Sequence, residues 1–393
     1  MRWLLLPLLL LACHALSAAS SASGSDERPS SCSSPESASC SALPLLSELG
    51  PGGLTRAVVA SLADAVGGAY REPLHWLATQ ELFPFAGHDN LTLQAYAVAP
   101  KTTTTSSVAL VYCAGWTETT VKYASFLRDL ADKHGHSVYS FDFRGQGFSA
   151  TTMEDGGRVT HIATFDEYLQ DLKLFSEFVR ARHARAHGGS AVGLPTTSIV
   201  YVGNSLSGLV GLSTEAKWPG TFARLAVAAP VVKPLATLNP LLRWGLYAAT
   251  HGLGLGKVLP TRLGSDISGL ELTHNEGLFL GWQRLRALAP AQLVVQGPSV
   301  AWLSALTEQG HALLALAARR PSPLAATPLL LLVADHDLFV HNPSIFELAA
   351  LYAGPVRVLK LAGSWHELWV ERDDFYTAAL GELLLFAQSA GAK

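Results

Sequence analysis

The strongest constraint on this chain is a repeated alternation: short apolar runs of strand length, each followed by a segment with helical spacing. Residues 108–113, 137–143, 198–202, 224–229, 329–333 and 355–361 are the runs. Residues 121–134, 165–187, 206–217 and 375–387 place apolar side chains three or four apart. Strands alternating with helices call for an α/β chain whose mostly parallel sheet is covered on both faces. Residues 91–98 alternate apolar and polar instead, as an edge-type strand does. The rhythm fails once, over residues 231–327. That interval reads as an inserted, mostly helical cap. Arg243, His251 and Lys257 within its apolar stretch argue against a membrane span.

With 393 residues the chain can bury a large core. Its formal net charge of −3 implies neither nucleic acid nor an anionic membrane surface as a partner. Arg180, Arg182, His183, Arg185 and His187 close the helical segment 165–187, where cations face the negative end of a helix dipole. At the N-terminus, Arg2 precedes an apolar run from Leu4 to Ala12 and then small residues. This is the build of a secretory signal over residues 1–19, and the run is too short to span a bilayer. Leu10-Leu11-Ala12-Cys13 carries a lesser alternative, a lipidated Cys13. Residues 20–52 form a Ser-rich linker that cannot bury enough surface to fold alone. Its Cys32 and Cys40 are either a disulfide or two free thiols. The folded domain is expected over residues 53–393, with Cys113 in its core. Asn90-Leu91-Thr92 is a glycosylation acceptor pattern if the chain is exported to a compartment that glycosylates.

Chemistry concentrates at Gly203-Asn204-Ser205-Leu206-Ser207-Gly208, between a strand and a helix. A sharp strand-to-helix turn lifts a serine hydroxyl above the sheet and aims the helix N-terminus at it. The last position of Gly-x-Ser-x-Gly is Ser207 rather than Gly. A serine hydroxyl is a poor nucleophile alone and needs a base with its own orienting acid. On sheets of this kind the two follow the nucleophile in the order acid, then histidine. Asp335 and Asp337 both lie after the run 329–333. Asp337 is favoured, because the turn before it should carry it clear of the strand end, leaving Asp335 as a turn residue. His366, in Gly363-Ser364-Trp365-His366-Glu367, is the only histidine beyond His341. Oxyanion donors are expected at the Leu206 N–H and at the Trp116 N–H, in the loop after residues 108–113. No cofactor is implied, and neighbouring Asp335, His336 and Asp337 diverge too much to ligate a metal.

The motif Phe141-Asp142-Phe143-Arg144-Gly145-Gln146-Gly147-Phe148-Ser149 resembles the Asp-x-Arg-Gly-x-Gly-x-Ser signature of the monoacylglycerol lipase and bacterial lysophospholipase branch of the α/β-hydrolases, a serine aminopeptidase-like family. Val121-Lys122-Tyr123, Phe165-Asp166-Glu167-Tyr168, Leu272-Thr273-His274 and Gly363-Ser364-Trp365-His366-Glu367 match the same family, in order. The resemblance implies an α/β-hydrolase fold, with Ser205 as nucleophile, Asp337 as acid, His366 as general base, and oxyanion donors at Trp116 and Leu206. It implies that Asp142 and Arg144 fix a turn rather than react. It also implies a carboxylic ester of a lipid as substrate, free or presented at a membrane surface, with Trp244, Tyr247, Trp282 and Trp302 either covering an acyl chain or filling the cap. A proline iminopeptidase-like enzyme and a non-catalytic binding protein of the same fold are the alternatives.

Overall fold

The structure, a computed structural model, describes residues 49–50, 52–101, 108–153, 158–186, 197–234, 245, 248, 256–257 and 272–388. The expected signal, Cys13, Cys32, Cys40, Trp244 and Tyr247 lie outside the described residues. Two helices open the domain, α1 (Arg56–Val66) and α2 (Gly68–Leu77). Strands β1 (Glu81–Ala86), β2 (Thr92–Val98) and β3 (Val108–Cys113) follow, then the short helix α3 (Ala124–Arg128). Next come β4 (Ser137–Phe141), β5 (Val159–Thr160), α4 (Asp166–Ala186), β6 (Ser198–Asn204), α5 (Leu206–Lys217) and β7 (Arg224–Ala228). The expected cap interval contributes α6 (Glu276–Leu288), α7 (Pro290–Leu293), β8 (Gly297–Pro298) and α8 (Val300–Ala318). The chain ends with β9 (Leu329–Ala334), α9 (Asn342–Leu351), β10 (Val356–Leu361) and α10 (Asp373–Gln388).

Eight strands form one sheet in the order β1-β2-β4-β3-β6-β7-β9-β10, and β2 alone runs against the rest. The central strands are buried along their whole length. Residues 329–334 of β9 are all at 0% exposure, as a strand covered by helices on both faces must be. The edge-strand expectation for residues 91–98 is corrected. β2 pairs on both sides, and the edge belongs to β1, whose Pro84 is suited to a strand that needs no full ladder. Helices α1 and α2 have no counterpart among the expected elements; they pack on α6.

Parallel pairing brings the strand ends that matter to one edge. Cys113 of β3 is level with Gly203 of β6, Asn204 with Ala228 of β7, and Ala334 of β9 with Leu361 of β10. The crevice outside those carboxyl ends is where open α/β sheets bind ligands. β5 and β8 form a separate two-strand pair beside that edge. Among the described residues no helix is long and apolar enough to cross a membrane.

Candidate active site

Ser205 sits between β6 and α5 with φ +53° and ψ −113°, a backbone state that side chains rarely adopt. Its surroundings enforce the turn. Its N–H donates to the Ala228 carbonyl at 2.9 Å, and its carbonyl accepts from Val231 N–H at 3.1 Å. Gly208 has to be glycine here, since a Cβ would come within 2.8 Å of Pro230. At the departure from the usual Gly, the fully buried Ser207 hydroxyl accepts from Asn204 N–H (2.6 Å) and donates to the Cys113 carbonyl (2.6 Å). The side chain therefore ties the turn to β3 and does not loosen it.

His366 and Asp337 meet across the sheet edge. Asp337 Oδ2 lies 2.6 Å from His366 Nδ1, and both side chains are nearly solvent-free. The other oxygen, Oδ1, accepts from the N–H groups of Phe339 (2.8 Å) and Val340 (3.0 Å), so the carboxylate cannot rotate away. Asp335 has a different job: it pairs with Lys360 and accepts from Gly363 N–H at 3.0 Å. Lys360 holds that carboxyl below its ordinary value. Burial pushes the His366 imidazole down, but the Asp337 carboxylate, helped by Glu367 and Glu118, outweighs it and raises the histidine above its ordinary 6.5. Nδ1 facing a carboxylate carries the proton, which leaves Nε2 as the acceptor. The Phe339 ring leans on the imidazole at 5.1 Å.

Trp116 and Leu206 also arrive at this edge. Neither backbone N–H has an acceptor among the described residues. For Leu206 this is the ordinary state of a first helical residue. The Trp116 indole donates to Thr160 of β5 (2.8 Å) and stacks on Trp302 of α8 at 5.0 Å. Trp302 in turn donates to Tyr168 of α4 at 3.0 Å. Trp282 is buried with its ring under the Lys122 ammonium, 5.3 Å away. A 580 Å³ cavity between α4, α5 and α8 is lined by none of these site residues.

The signature residues are scaffold. Asp142 accepts from Thr120 and Phe148 N–H and from the Tyr96 and Thr119 hydroxyls. Arg144 forks onto Asp171 and reaches Glu167. The cationic end of α4 is likewise occupied: Arg180 caps the Thr221 carbonyl and Arg182 pairs with Glu81. Among the described residues there is no cluster of three metal-ligating side chains.

Several side chains around the site had no role assigned from sequence. Glu118, Lys122 and Glu367 form a buried ion cluster in which Lys122 bridges both carboxylates. Lys122 holds Glu118 down at about 2 against its burial, while burial pushes Glu367 up to about 7. Glu371 and Gln146 complete the surroundings. Gln146, Lys122 and Glu367 lie in motifs quoted for the family, so position was available as a signal for these three, whereas their partners were not; Glu118 and Glu371 lie outside those motifs.

An eight-strand sheet of this topology, with a serine on its central elbow and a buried acid–histidine pair on the next strand-end loops, defines an α/β-hydrolase. The chain belongs to the family described as serine aminopeptidase, S33, whose pattern matches residues 105–373. No curated protein matches the chain in sequence. Among solved structures it is similar to a soluble variant of monoglyceride lipase from Saccharomyces cerevisiae in complex with a substrate analogue. That match has a TM-score of 0.61 at 14% identity and covers 79% of this chain and 96% of that one. It is also similar to a monoacylglycerol lipase from Paleococcus ferrophilus (TM-score 0.53, 14% identity, 76% and 99% covered). A lipase in its open form matches with a TM-score of 0.55 at 16% identity, covering 80% and 100%. At these identities the likeness concerns the fold.

Proposed function

We propose that this protein is a serine hydrolase that cleaves carboxylic esters of lipids, monoacylglycerols or lysophospholipids, through an acyl-enzyme. The observation that carries the reading is the buried Asp337–His366 hydrogen bond, on the loops beside the Ser205 elbow. In this mechanism Ser205 Oγ attacks the ester carbonyl while His366 Nε2 takes its proton. Asp337 fixes the tautomer and stabilises the imidazolium that forms. The oxyanion lies between the N–H groups of Trp116 and Leu206. His366 returns the proton to the leaving alcohol, and water repeats the sequence to free the fatty acid. Apolar surfaces suit such a substrate: Phe339 leans on His366, and the Trp116 ring, on the loop after β3, stacks on Trp302 of the cap. The fold shared with two monoacylglycerol lipases supports the same class.

The family's name favours a second reading, an aminopeptidase. That activity needs a free carboxylate for the substrate amine. Among the described residues, the carboxylates beside His366, Glu118 and Glu367, already share the Lys122 ammonium, which supports the ester reading. The apolar run from Leu4 to Ala12 supports export of the enzyme.

A fluorophosphonate should label the wild-type protein and not Ser205→Ala; an unlabelled wild type would overturn the catalytic reading. Fatty acid release from monoacylglycerol and lysophosphatidylcholine, set against cleavage of a proline amide, then separates esterase from peptidase.

A further inference from the structure

Three consecutive backbone N–H groups follow β3, and they meet different fates. Gly115 N–H donates to Glu118 Oε2 at 2.7 Å. Thr117 N–H donates to Gln146 Oε1 in a short hydrogen bond. Trp116 N–H, between them, has no acceptor among the described residues. The two acceptors are themselves fixed. Gln146 is fully buried within the signature turn, its backbone N–H bound to the Phe143 carbonyl and its carbonyl to Ser149 N–H. Glu118 is 7% exposed, and its other oxygen takes the Lys122 ammonium (2.6 Å) and the Tyr123 hydroxyl (2.7 Å). Glu118 Oε2 also receives the amide of Asn204, the residue before the nucleophile, at 3.3 Å.

The turn would not hold this shape alone. Thr117 has φ +63°, a state that is unfavourable outside glycine and persists only where neighbours impose it. A Cβ on Gly115 would sit 2.6 Å from Glu118 Oε2, so the close approach of that carboxylate requires the glycine.

We propose that Gln146 and Glu118 are positioning residues for acyl transfer, because they engage the N–H groups on either side of Trp116 and leave that one donor fixed and unpaired for the developing oxyanion. Glu118 also references the donor to the nucleophile's own turn through Asn204. The inference rests on the esterase reading above. It gives the signature turn a purpose beyond scaffolding: Asp142 and Arg144 hold the turn, and Gln146 uses it to reach the oxyanion loop.

Gln146→Met removes the acceptor and keeps the volume. Gln146→Glu keeps an oxygen at the same place, and Gln146 Nε2 has no partner among the described residues, so replacing it sacrifices no hydrogen bond. The assay is hydrolysis of p-nitrophenyl butyrate together with inhibition by an alkyl trifluoromethyl ketone, which forms an oxyanion on the serine. Removing a donor outright costs 10²–10³ in kcat, so a displaced one should cost about 10- to 100-fold, with KM within about 3-fold. Ketone affinity should fall in step with kcat/KM, and Q146E should recover most of the loss. Glu118→Gln offers the same test from the other flank if Q146M proves unstable on thermal unfolding, since its single oxygen cannot serve both Gly115 and Lys122. The proposal is overturned if both flanking variants keep kcat, if the loss lies in KM alone, or if ketone affinity does not follow. A wild type that turns over esters while the variants match it removes only this proposal. A wild type with no turnover removes the esterase reading as well.

Discussion

Two aspartates stand two residues apart on the loop after β9, and their partners separate them completely. Asp337 is locked by two backbone N–H groups and faces His366, while Asp335 is spent on Lys360 and Gly363. Asp337→Asn should therefore lower kcat by about 10³- to 10⁴-fold, the scale on which losing the orienting carboxylate of such a triad acts. Asp335→Asn should stay within about 3-fold, since an ion pair with the exposed Lys360 contributes little. Steady-state kinetics on one ester checks both, and a larger loss in D335N would reverse the assignment. The same geometry fixes a pH limb. In the proposed mechanism His366 must be neutral to accept the Ser205 proton, and Asp337 raises it above 6.5 despite its burial. kcat/KM should then climb with pH through a midpoint above 6.5, and a pH–rate profile with its acid midpoint below that value would contradict the structure. For stability the sign is opposite: the raised histidine favours the fold below 6.5, and that contribution disappears as pH rises through its native value. Ser205, His366 and the preference for Asp337 were legible because chain order limits where such residues can stand. Gln146 and Glu118 were not. They act on backbone N–H groups, and the sequence carries no mark of which amide a side chain will reach.

At the scale of elements, the elbow depends on how closely α5 approaches β6. Gly211 faces the Tyr201 ring, where a Cβ would lie 2.1 Å from the nearest ring carbon. The ring cannot swing aside, because its hydroxyl donates to the Ser207 carbonyl at 2.8 Å and its face meets Phe222 at 4.9 Å. Gly211→Ala should cost about 1–3 kcal/mol, the usual range for overpacking a filled core, and lower the urea midpoint without changing the slope. An alanine variant as stable as wild type would mean that the strand and helix have room to part. Elements of this central kind were legible: continuous apolar runs such as Leu329–Ala334 have no other way to be buried. Legibility failed at the margin. Residues 91–98 alternate because Gln94 is a buried polar residue hydrogen-bonded to Leu54 and Ala95, not because one face meets water. An alternating pattern records polarity and not exposure, and here hydrogen bonds absorbed the polarity.

Across the whole molecule, the histidine loop and the start of the cap's α6 are held as one piece by Glu371. Its fully buried carboxylate accepts from Thr273 Oγ1 (3.2 Å), His274 N–H (2.7 Å) and His274 Nδ1 (2.5 Å) on the cap side. On the loop side it accepts from Trp365 N–H (3.0 Å), next to His366, and from Arg372 N–H (2.8 Å). His274 stacks on Trp365 at 3.7 Å, and Glu367 N–H donates to the Leu272 carbonyl at 2.9 Å. Glu371→Gln would turn one acceptor into a donor facing these donors. The expected cost is about 3 kcal/mol, the scale for spoiling a buried charged network, with a fall in kcat because Trp365 precedes His366, the proposed general base. Acid should narrow the difference. Burial alone would raise Glu371, but the hydrogen bonds from His274 and the backbone hold it below the ordinary 4.5. A carboxyl depressed in the native state stabilises the fold above its ordinary value, and this stability is lost as pH falls through the depressed one. Urea unfolding of wild type and E371Q should therefore show a wide gap at neutral pH that closes on acidification below 4.5. A gap that stays constant with pH would mean that the charge of Glu371 does not join the cap to the histidine loop.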